Sequence, residues 1–334
     1  MVKFSIILPV RNGGEYLKTC IASILAQTYT GFNLLVLENN STDGSLEWLN
    51  TIKDPRVQIF PAPQPLSIEE NWGRILEVPK NDFITLIGHD DVLQPDYLAT
   101  MVDLILKHPG ASLYQTHFSY IDSEGKKIRD SQPMPENESA VAFVSSYLQR
   151  KTDVMGTGFM MRAADYHKLG GIPLYPNLLF ADFELWIRLT ELNYKATAAN
   201  NAFSFRLHQS TTSISPDIKF QQAFSRFIGF LESLAAKSAV FRNAITQHGA
   251  GYLLYYCQAL SHRLLRSPAS KRHGLTVARV VADCIEYAKR LDLPGTFDPR
   301  SRASIRMALM LDSNPVTRSI FLGFKKIYSK PLLR

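Results

Sequence analysis

Four apolar runs separated by helical patterns fill the first 120 residues, and they leave few folds open. "KFSIILPV", "FNLLVLEN" and "DFITLIG" are continuous rather than alternating in hydrophobicity, and "VQIF" reads as a short third strand. Strands of that kind are buried on both faces. Between them, "GEYLKTCIASILAQT" sets Leu17, Ile21, Ile24 and Leu25 at helical spacing. "GSLEWLNTI" and "SIEENWGRILEV" continue the rhythm, the latter opened by Ser67 with Glu70 three residues on, a capping box. "PDYLATMVDLILKH" closes it, with Pro95 expected in the first turn. The alternation predicts an α/β domain with a mostly parallel sheet sandwiched by helices.

After Ser112 the pattern becomes mixed. "SLYQTHFSYID" and "GTGFMMR" read as strands, "DSQPMPENES" as a mobile polar loop, "DFELWIRLTEL" as a helix, and "YKATAA" and "AFSFRLH" as two closing strands. Beyond Pro216 the chain reads as helical throughout. Phe220, Phe224, Phe227, Ile228, Leu231 and Leu234 share one helical face, and similar patterns recur near 250–266, 274–291, 302–311 and 316–328. The expected division is a domain at 1–215 and a helical extension at 216–334.

Several classes of protein fall away. No apolar run approaches the roughly 18 residues of a spanning helix. "MVKFSIILPV" runs directly into "RNGGEYL" without a cleavage-site pattern, so it reads as a first strand rather than a leader. Cys20, Cys257 and Cys284 are widely spaced and sit in apolar helical contexts, as buried reduced thiols of a cytoplasmic protein would. The net charge is +7, with much of the excess beyond residue 260, but no nucleic-acid motif accompanies it.

Ligands of open parallel sheets bind beyond the carboxyl ends of the strands. Polar clusters stand at three such ends: "PVRN", "ENNSTDG" and "GHDD". Each alone is an ordinary turn or helix cap; their placement at successive strand ends is what points to a site. Asp90 and Asp91 are the sharpest feature. Adjacent carboxylates at the end of a buried strand repel each other, and a cation between them and a phosphate would relieve that.

These stretches carry a resemblance. "FSIILPVRNGGEYLKTCIASILAQTYTGFNLLVLENNSTDGS", "FITLIGHDDVLQPDYL", "FADFELWIRL" and "FRLHQSTTS" resemble, in order and spacing, the motifs of family 2 inverting glycosyltransferases over about residues 3–213. The resemblance implies an A-type glycosyltransferase fold and a nucleotide-sugar donor. It implies a divalent cation, Mn2+ or Mg2+, on Asp91 and His208, with Asp90 nearer the ribose or the metal's waters. It makes Asp182 the base that takes the acceptor hydroxyl's proton, with Glu184, read as solvent-facing, in reserve. Pro9, Arg11, Asn12, Glu38, Asn39 and Asn71 would line the nucleotide pocket. Taken by itself, a histidine such as His208 is more often structural, and Asp182 also reads as an N-cap for the helix that follows it, a role compatible with that of the base. The chain departs from the family pattern at Glu38–Asn39, where an Asp is usual, at Glu70, where an Arg is frequent, and at Gly88, where an Asp is frequent.

The expected acceptor is a saccharide or lipid-linked saccharide of surface polysaccharide synthesis. The basic tail then has two uses: a helical cap or homo-oligomer contact, or peripheral attachment at the inner membrane face through "SIFLGFKKIYSKPLLR". Two other functions compete. A sugar-nucleotidyltransferase would need a Gly-rich basic loop after the first strand, which "PVRNGGEYL" lacks. A non-catalytic nucleotide-sugar-binding relic would explain Glu38 and Gly88 but not the joint retention of Asp90, Asp91, Asp182 and His208.

Overall fold

The structure, a computed structural model, describes residues 2–208 and 215–328, and of 269–270 and 324–328 the backbone alone. The chain forms two compact units, residues 1–147 with 151–210, and residues 148–150 with 211–334.

The first unit opens with β1 (Phe4–Val10), α1 (Gly14–Leu25), β2 (Phe32–Glu38), α2 (Ser45–Leu49), β3 (Val57–Pro61), α3 (Ile68–Gly73) and β4 (Phe83–Leu86). The short β5 (Val92–Leu93) and α4 (Tyr97–Lys107) follow, then β6 (Leu113–Ile121), β7 (Lys127–Asp130), β8 (Asn137–Glu138) and α5 (Ala140–Leu148). It closes with β9 (Phe159–Arg162), α6 (Ala163–Lys168), α7 (Ala181–Thr190) and β10 (Lys195–Arg206). The sheet order is β3-β2-β1-β4-β9-β6-β10-β5, with β7 on β6 and β8 on β10. Pairings β1–β2, β2–β3, β1–β4 and β6–β10 are parallel, and the rest antiparallel. The first four strands form the parallel sheet that the apolar runs predict, and the antiparallel pairings of the second half make the whole sheet mixed. Every residue of β1 is buried, as are all of β2 but Asn33.

The order of strands reverses at β1, with β2 on one side and β4 on the other, which opens a crevice at their carboxyl ends. β4 ends at Leu86, opposite Ile7, three residues before β1 does. Pro9, which has no N–H to give a ladder, falls where that neighbour is already gone.

Three details differ from the sequence reading. Pro95 lies outside α4, whose N-cap is Asp96. The two expected closing strands are one twelve-residue strand, β10, which absorbs "NN" as register shifts between Ala198 and Phe203. The polar 131–139 segment is fastened to the sheet rather than loose. Thr197 N–H donates to Glu136 O at 2.8 Å, Met134 N–H to His117 Nε2 at 2.9 Å, and β8 pairs with β10. The Ser67–Glu70 capping box is present as read, both of its bonds formed.

The second unit contains α8 (Asp217–Lys237), α9 (Ala239–Arg266), α10 (Ala269–Arg272), α11 (Val277–Arg290), α12 (Ala303–Ser313) and α13 (Pro315–Tyr328). Phe224, Phe227, Ile228, Leu231 and Leu234 form the buried stripe of α8, and Phe224 stacks on Tyr256 of α9 at 3.3 Å between ring centroids. At the start of α8, Arg263 of α9 reaches Asp217 (2.7 Å) and the Ser215 carbonyl (2.7 Å). The three cysteines are buried and free.

Candidate active site

The ends of β1 and β2 interlock through short polar bonds. Asn12, at φ 53°, is a left-handed turn residue, and its Oδ1 accepts from Thr42 N–H at 2.8 Å. In return, N–H groups of residues 12, 13 and 14 donate to Ser41 Oγ, Ser45 Oγ and Asp43 Oδ2 at 2.9, 3.1 and 3.0 Å. Glu38 is fully buried; its two carboxylate oxygens accept from Ser41 N–H (2.6 Å) and Asn40 N–H (3.1 Å). The carboxylate therefore holds the "ENNS" turn shut. Asn39 pairs with the backbone of Leu66 in both directions, at 2.8 and 3.0 Å, which fixes the chain just before α3. Asn71 on α3 donates to Leu37 O and accepts from Arg74, whose guanidinium also reaches Glu38 O and Phe60 O. Arg11 stays exposed at the rim, 3.4 Å from Leu66 O.

The end of β4 is built differently. Asp91 is 1% exposed, and Asp91 N–H turns back to Gly88 O at 3.2 Å. Its Oδ2 accepts from Thr157 Oγ1 (2.6 Å) and its Oδ1 from Arg206 N–H (3.1 Å). Asp90 lies nearer the surface, with Oδ2 at 2.5 Å from His208 Nε2. The two carboxyls are pushed apart in acidity. Burial, then the neighbouring Asp90 charge, lifts Asp91 well above the ordinary carboxylate range. Burial also acts to raise Asp90, but the His208 hydrogen bond and the nearby His89 outweigh it, and Asp90 falls below that range. Gly88 makes the arrangement possible: a Cβ there would stand 2.5 Å from Asp90 Oδ1 and 3.1 Å from Asp91 Oδ2.

Tyr16 of α1 braces this cluster. Its ring lies 5.2 Å from the His208 ring and under the Arg206 guanidinium at 4.6 Å. Arg206 also ties Asp90 O and Asp122 O together, at 2.8 and 2.9 Å.

Asp182 sits one dipeptide away from Asp91. Thr157 carries the hydroxyl bonded to Asp91, and Gly156 lies against Asp182, whose Cβ and Oδ2 are 3.7 and 3.8 Å from the place a Gly156 Cβ would occupy. Asp182 is not the N-cap of its helix. α7 begins at Ala181 and its N-cap is Phe180, held left-handed at φ 66°. Asp182 is therefore inside the first turn, its Oδ1 accepting its successor's N–H at 2.8 Å. Burial raises its pKa to about 6 against that bond. Asn177, Leu178 and Phe180 all have positive φ just before it. Three strained non-glycine residues in a row of four are a mark of functional segments. Asn177 N–H is bonded to Glu69 of α3 at 2.7 Å, which fastens this segment to the α3 side of the crevice. Glu184 is not solvent-facing: it accepts from Tyr175 OH at 2.6 Å and faces Arg188.

The donor set at the β4 end suits a hard divalent cation, since it offers carboxylate oxygens with spare lone pairs and one imidazole nitrogen. No three His, Cys, Asp or Glu side chains form a ready cage among the described residues. The acidic pair and His208 are the groups that would hold the ion. Sequence reasoning does not single out Thr157, Tyr16 or Arg74. "GTG" was the available signal for the first, because glycines flanking one polar residue mark a close backbone approach. The other two become visible only in three dimensions.

A reversed parallel sheet, an acidic pair beyond β4 and a mixed second half make this an A-type glycosyltransferase fold. TarS of S. aureus, residues 1–349 in complex with UDP-GlcNAc, superposes at a TM-score of 0.59 and 12% identity, over 98% of this chain and 93% of that one. Mannosyltransferase PcManGT from Pyrobaculum calidifontis, in complex with GDP-Man and Mn2+, gives 0.52 and 14% over 97% and 88%. Residues 5–170 match the sequence model of glycosyl transferase family 2, and through them the chain belongs to that family. An uncharacterized glycosyltransferase of Haemophilus influenzae is 36% identical over 135 residues, 39% of this chain and 52% of that one. Chondroitin synthase of Pasteurella multocida is 27% identical over 134 residues, 40% of this chain and 14% of that one. The matches span about half or less of these curated relatives.

Proposed function

We propose that the protein is an inverting glycosyltransferase, moving a sugar from a nucleotide-sugar donor to a hydroxyl of a saccharide or lipid-linked saccharide. The observation that carries this reading is the single dipeptide, Gly156–Thr157, with Asp91 on one side and Asp182 on the other. Leaving-group chemistry and proton removal need opposite faces of one sugar ring, and this spacing supplies two acidic centres with a backbone segment between them. The ends of β1 and β2, with Pro9, Arg11, Asn12, Glu38, Asn39 and Asn71, form the wall proposed for the nucleoside. Asp90, Asp91 and His208 would hold Mn2+ or Mg2+, which supplies charge neutralisation on the departing diphosphate when bound.

Asp182 works as the base. With its pKa near 6 it is ionised at neutral pH, yet more basic than an ordinary carboxylate, which suits proton abstraction from an alcohol. Its position early in α7 holds the carboxylate by a backbone N–H, so one oxygen is fixed while the other is free to face the acceptor. Attack from Asp182's side, with the diphosphate leaving on the other, inverts the anomeric carbon.

The test is donor hydrolysis with UDP-, GDP-, dTDP- and CDP-sugars in Mn2+, alongside thermal shift with the matching nucleoside diphosphates. One nucleotide should raise the melting temperature only with Mn2+, and its sugar should be hydrolysed slowly with inversion. Pyrophosphate release from a nucleoside triphosphate and a sugar phosphate would replace this reading with a nucleotidyltransferase. Metal-dependent binding without any turnover would leave a binding relic.

A further inference from the structure

The positive charge of the chain is gathered in one stretch. Residues 261–334 hold 15 Lys and Arg against 5 Asp and Glu, a net +10, so the preceding 260 residues carry −3. In the same stretch, Met307, Met310, Val316 and Ile320 are exposed at 56%, 61%, 64% and 68%. On α12, Arg302 at the N-cap, Arg306, Met307 and Met310 fall on the exposed face at helical spacing. On α13, Val316 and Ile320 are exposed one turn apart. A groove of about 240 Å3 joins the two helices to the end of α9; Leu265, Arg266, Met307, Leu311 and Phe321 line it. Arg266 and Met307 therefore share its lining, and the exposed basic and apolar residues of α12 and α13 stand on the same two helices. Asp312 is the one carboxylate in α12 and α13, and it is turned inward, accepting from Arg272 and from Val277 N–H. No described helix is long and apolar enough to cross a membrane. Of the tail residues singled out in the sequence, the side chains of Phe324, Lys325, Lys326 and Ile327, and all of Lys330 and Arg334, lie outside the described residues.

We infer that α12 and α13 dock on the surface of an anionic phospholipid bilayer. Met307, Met310, Val316 and Ile320 enter the acyl boundary, and Arg266, Arg302 and Arg306 meet the lipid phosphates. Charge decides the occupant. A second copy would bring another +10 against the first, and a nucleic acid would leave the methionines and Ile320 against phosphates and water. Only a phosphate-covered apolar phase satisfies both the basic and the apolar groups. The inference stands on the second unit alone and does not depend on the transferase reading.

Full-length protein is floated with phosphatidylcholine vesicles and with vesicles containing about 30% phosphatidylglycerol. It should float with the anionic vesicles only, and high salt should release it. Arg302→Gln with Arg306→Gln should weaken partitioning by roughly fivefold per residue. Met310→Ser with Ile320→Ser should weaken it at least as much, with unchanged helicity and unchanged nucleotide thermal shift. Equal flotation with neutral vesicles, no flotation, or variants that float like wild type would each overturn the proposal. So would a dimer in sedimentation that Ile320→Ser dissolves while vesicle binding is absent, because the face would then belong to a second copy. Loss of nucleotide binding with flotation intact would count against the transferase reading instead.

Discussion

The ends of β1 and β2 and the end of β4 both carry polar residues, but they handle them in opposite ways. At β1 and β2, side-chain groups are closed on neighbouring backbone: Asn12 on Thr42, Glu38 on residues 40 and 41, Asn39 on Leu66. Those bonds shape a loop set before any ligand arrives. At β4, ionisable groups crowd one another, and their acidities are driven in opposite directions. The first region is a mould and the second is a charged site that a ligand completes. Substitutions in the mould should register mainly as stability and nucleotide affinity, and those in the charged site mainly as chemistry.

The largest expected effect tests the chemical side. Asp182→Asn should lower kcat by about 10²- to 10⁴-fold, the usual worth of a general base, and leave the Mn2+-dependent nucleotide shift in place. Loss of that shift instead would make Asp182 part of the binding wall. Next, Asp91→Asn should weaken Mn2+ affinity by roughly 10- to 100-fold, measured by titrating the metal in the presence of nucleotide.

The third prediction concerns pH. A base must be ionised, so kcat/KM should fall about tenfold per unit below pH 6, following the Asp182 value of about 6. The linkage has a stability side. A carboxyl whose folded pKa is raised binds its proton more tightly when folded, so it favours the native state at low pH and loses that contribution as pH rises to about 6. Asp182→Asn should then melt above wild type at pH 8, with the gap closing between about pH 6 and pH 4. A gap independent of pH would mean that Asp182 titrates as an ordinary carboxylate.

Smaller effects belong to the mould. Asn39→Ala leaves a part-buried donor and acceptor at Leu66 without their partner, which should cost about 1 kcal/mol by denaturant unfolding and loosen nucleotide binding. Ser67→Ala removes one bond of the capping box and should cost about 1 kcal/mol, with turnover unchanged.

Much of this was readable in the chain. Strands buried on both faces leave continuous apolar runs, and the capping box is a purely local pattern, so β1, β2, β4 and the start of α3 could be assigned from sequence; β3, at the sheet edge, has no buried residue. The missed features are those set from far away. "NN" in β10 looks like a turn, but the strand continues because β6 and β8 offer partners along its length. Asp182 looks like a cap because it precedes an apolar helix. The left-handed backbone at Phe180 takes that position instead, and nothing in "LLFADF" signals it. Glu184 reads as solvated until Tyr175, nine residues earlier, is found bonded to it. Adjacent carboxylates could be noticed in the sequence, but their unequal acidity required the burial of one and the histidine beside the other.

Gly88 ties two positions of the chain into one heritable choice. A methyl group there would overlap the space that Asp90 occupies, so an alanine or aspartate at 88 is admissible only if residue 90 shortens or swings away at the same time. A side chain at 88 should therefore turn the Asp90 carboxylate away from His208, so the acidic pattern at this strand end is set by residues 88 and 90 together.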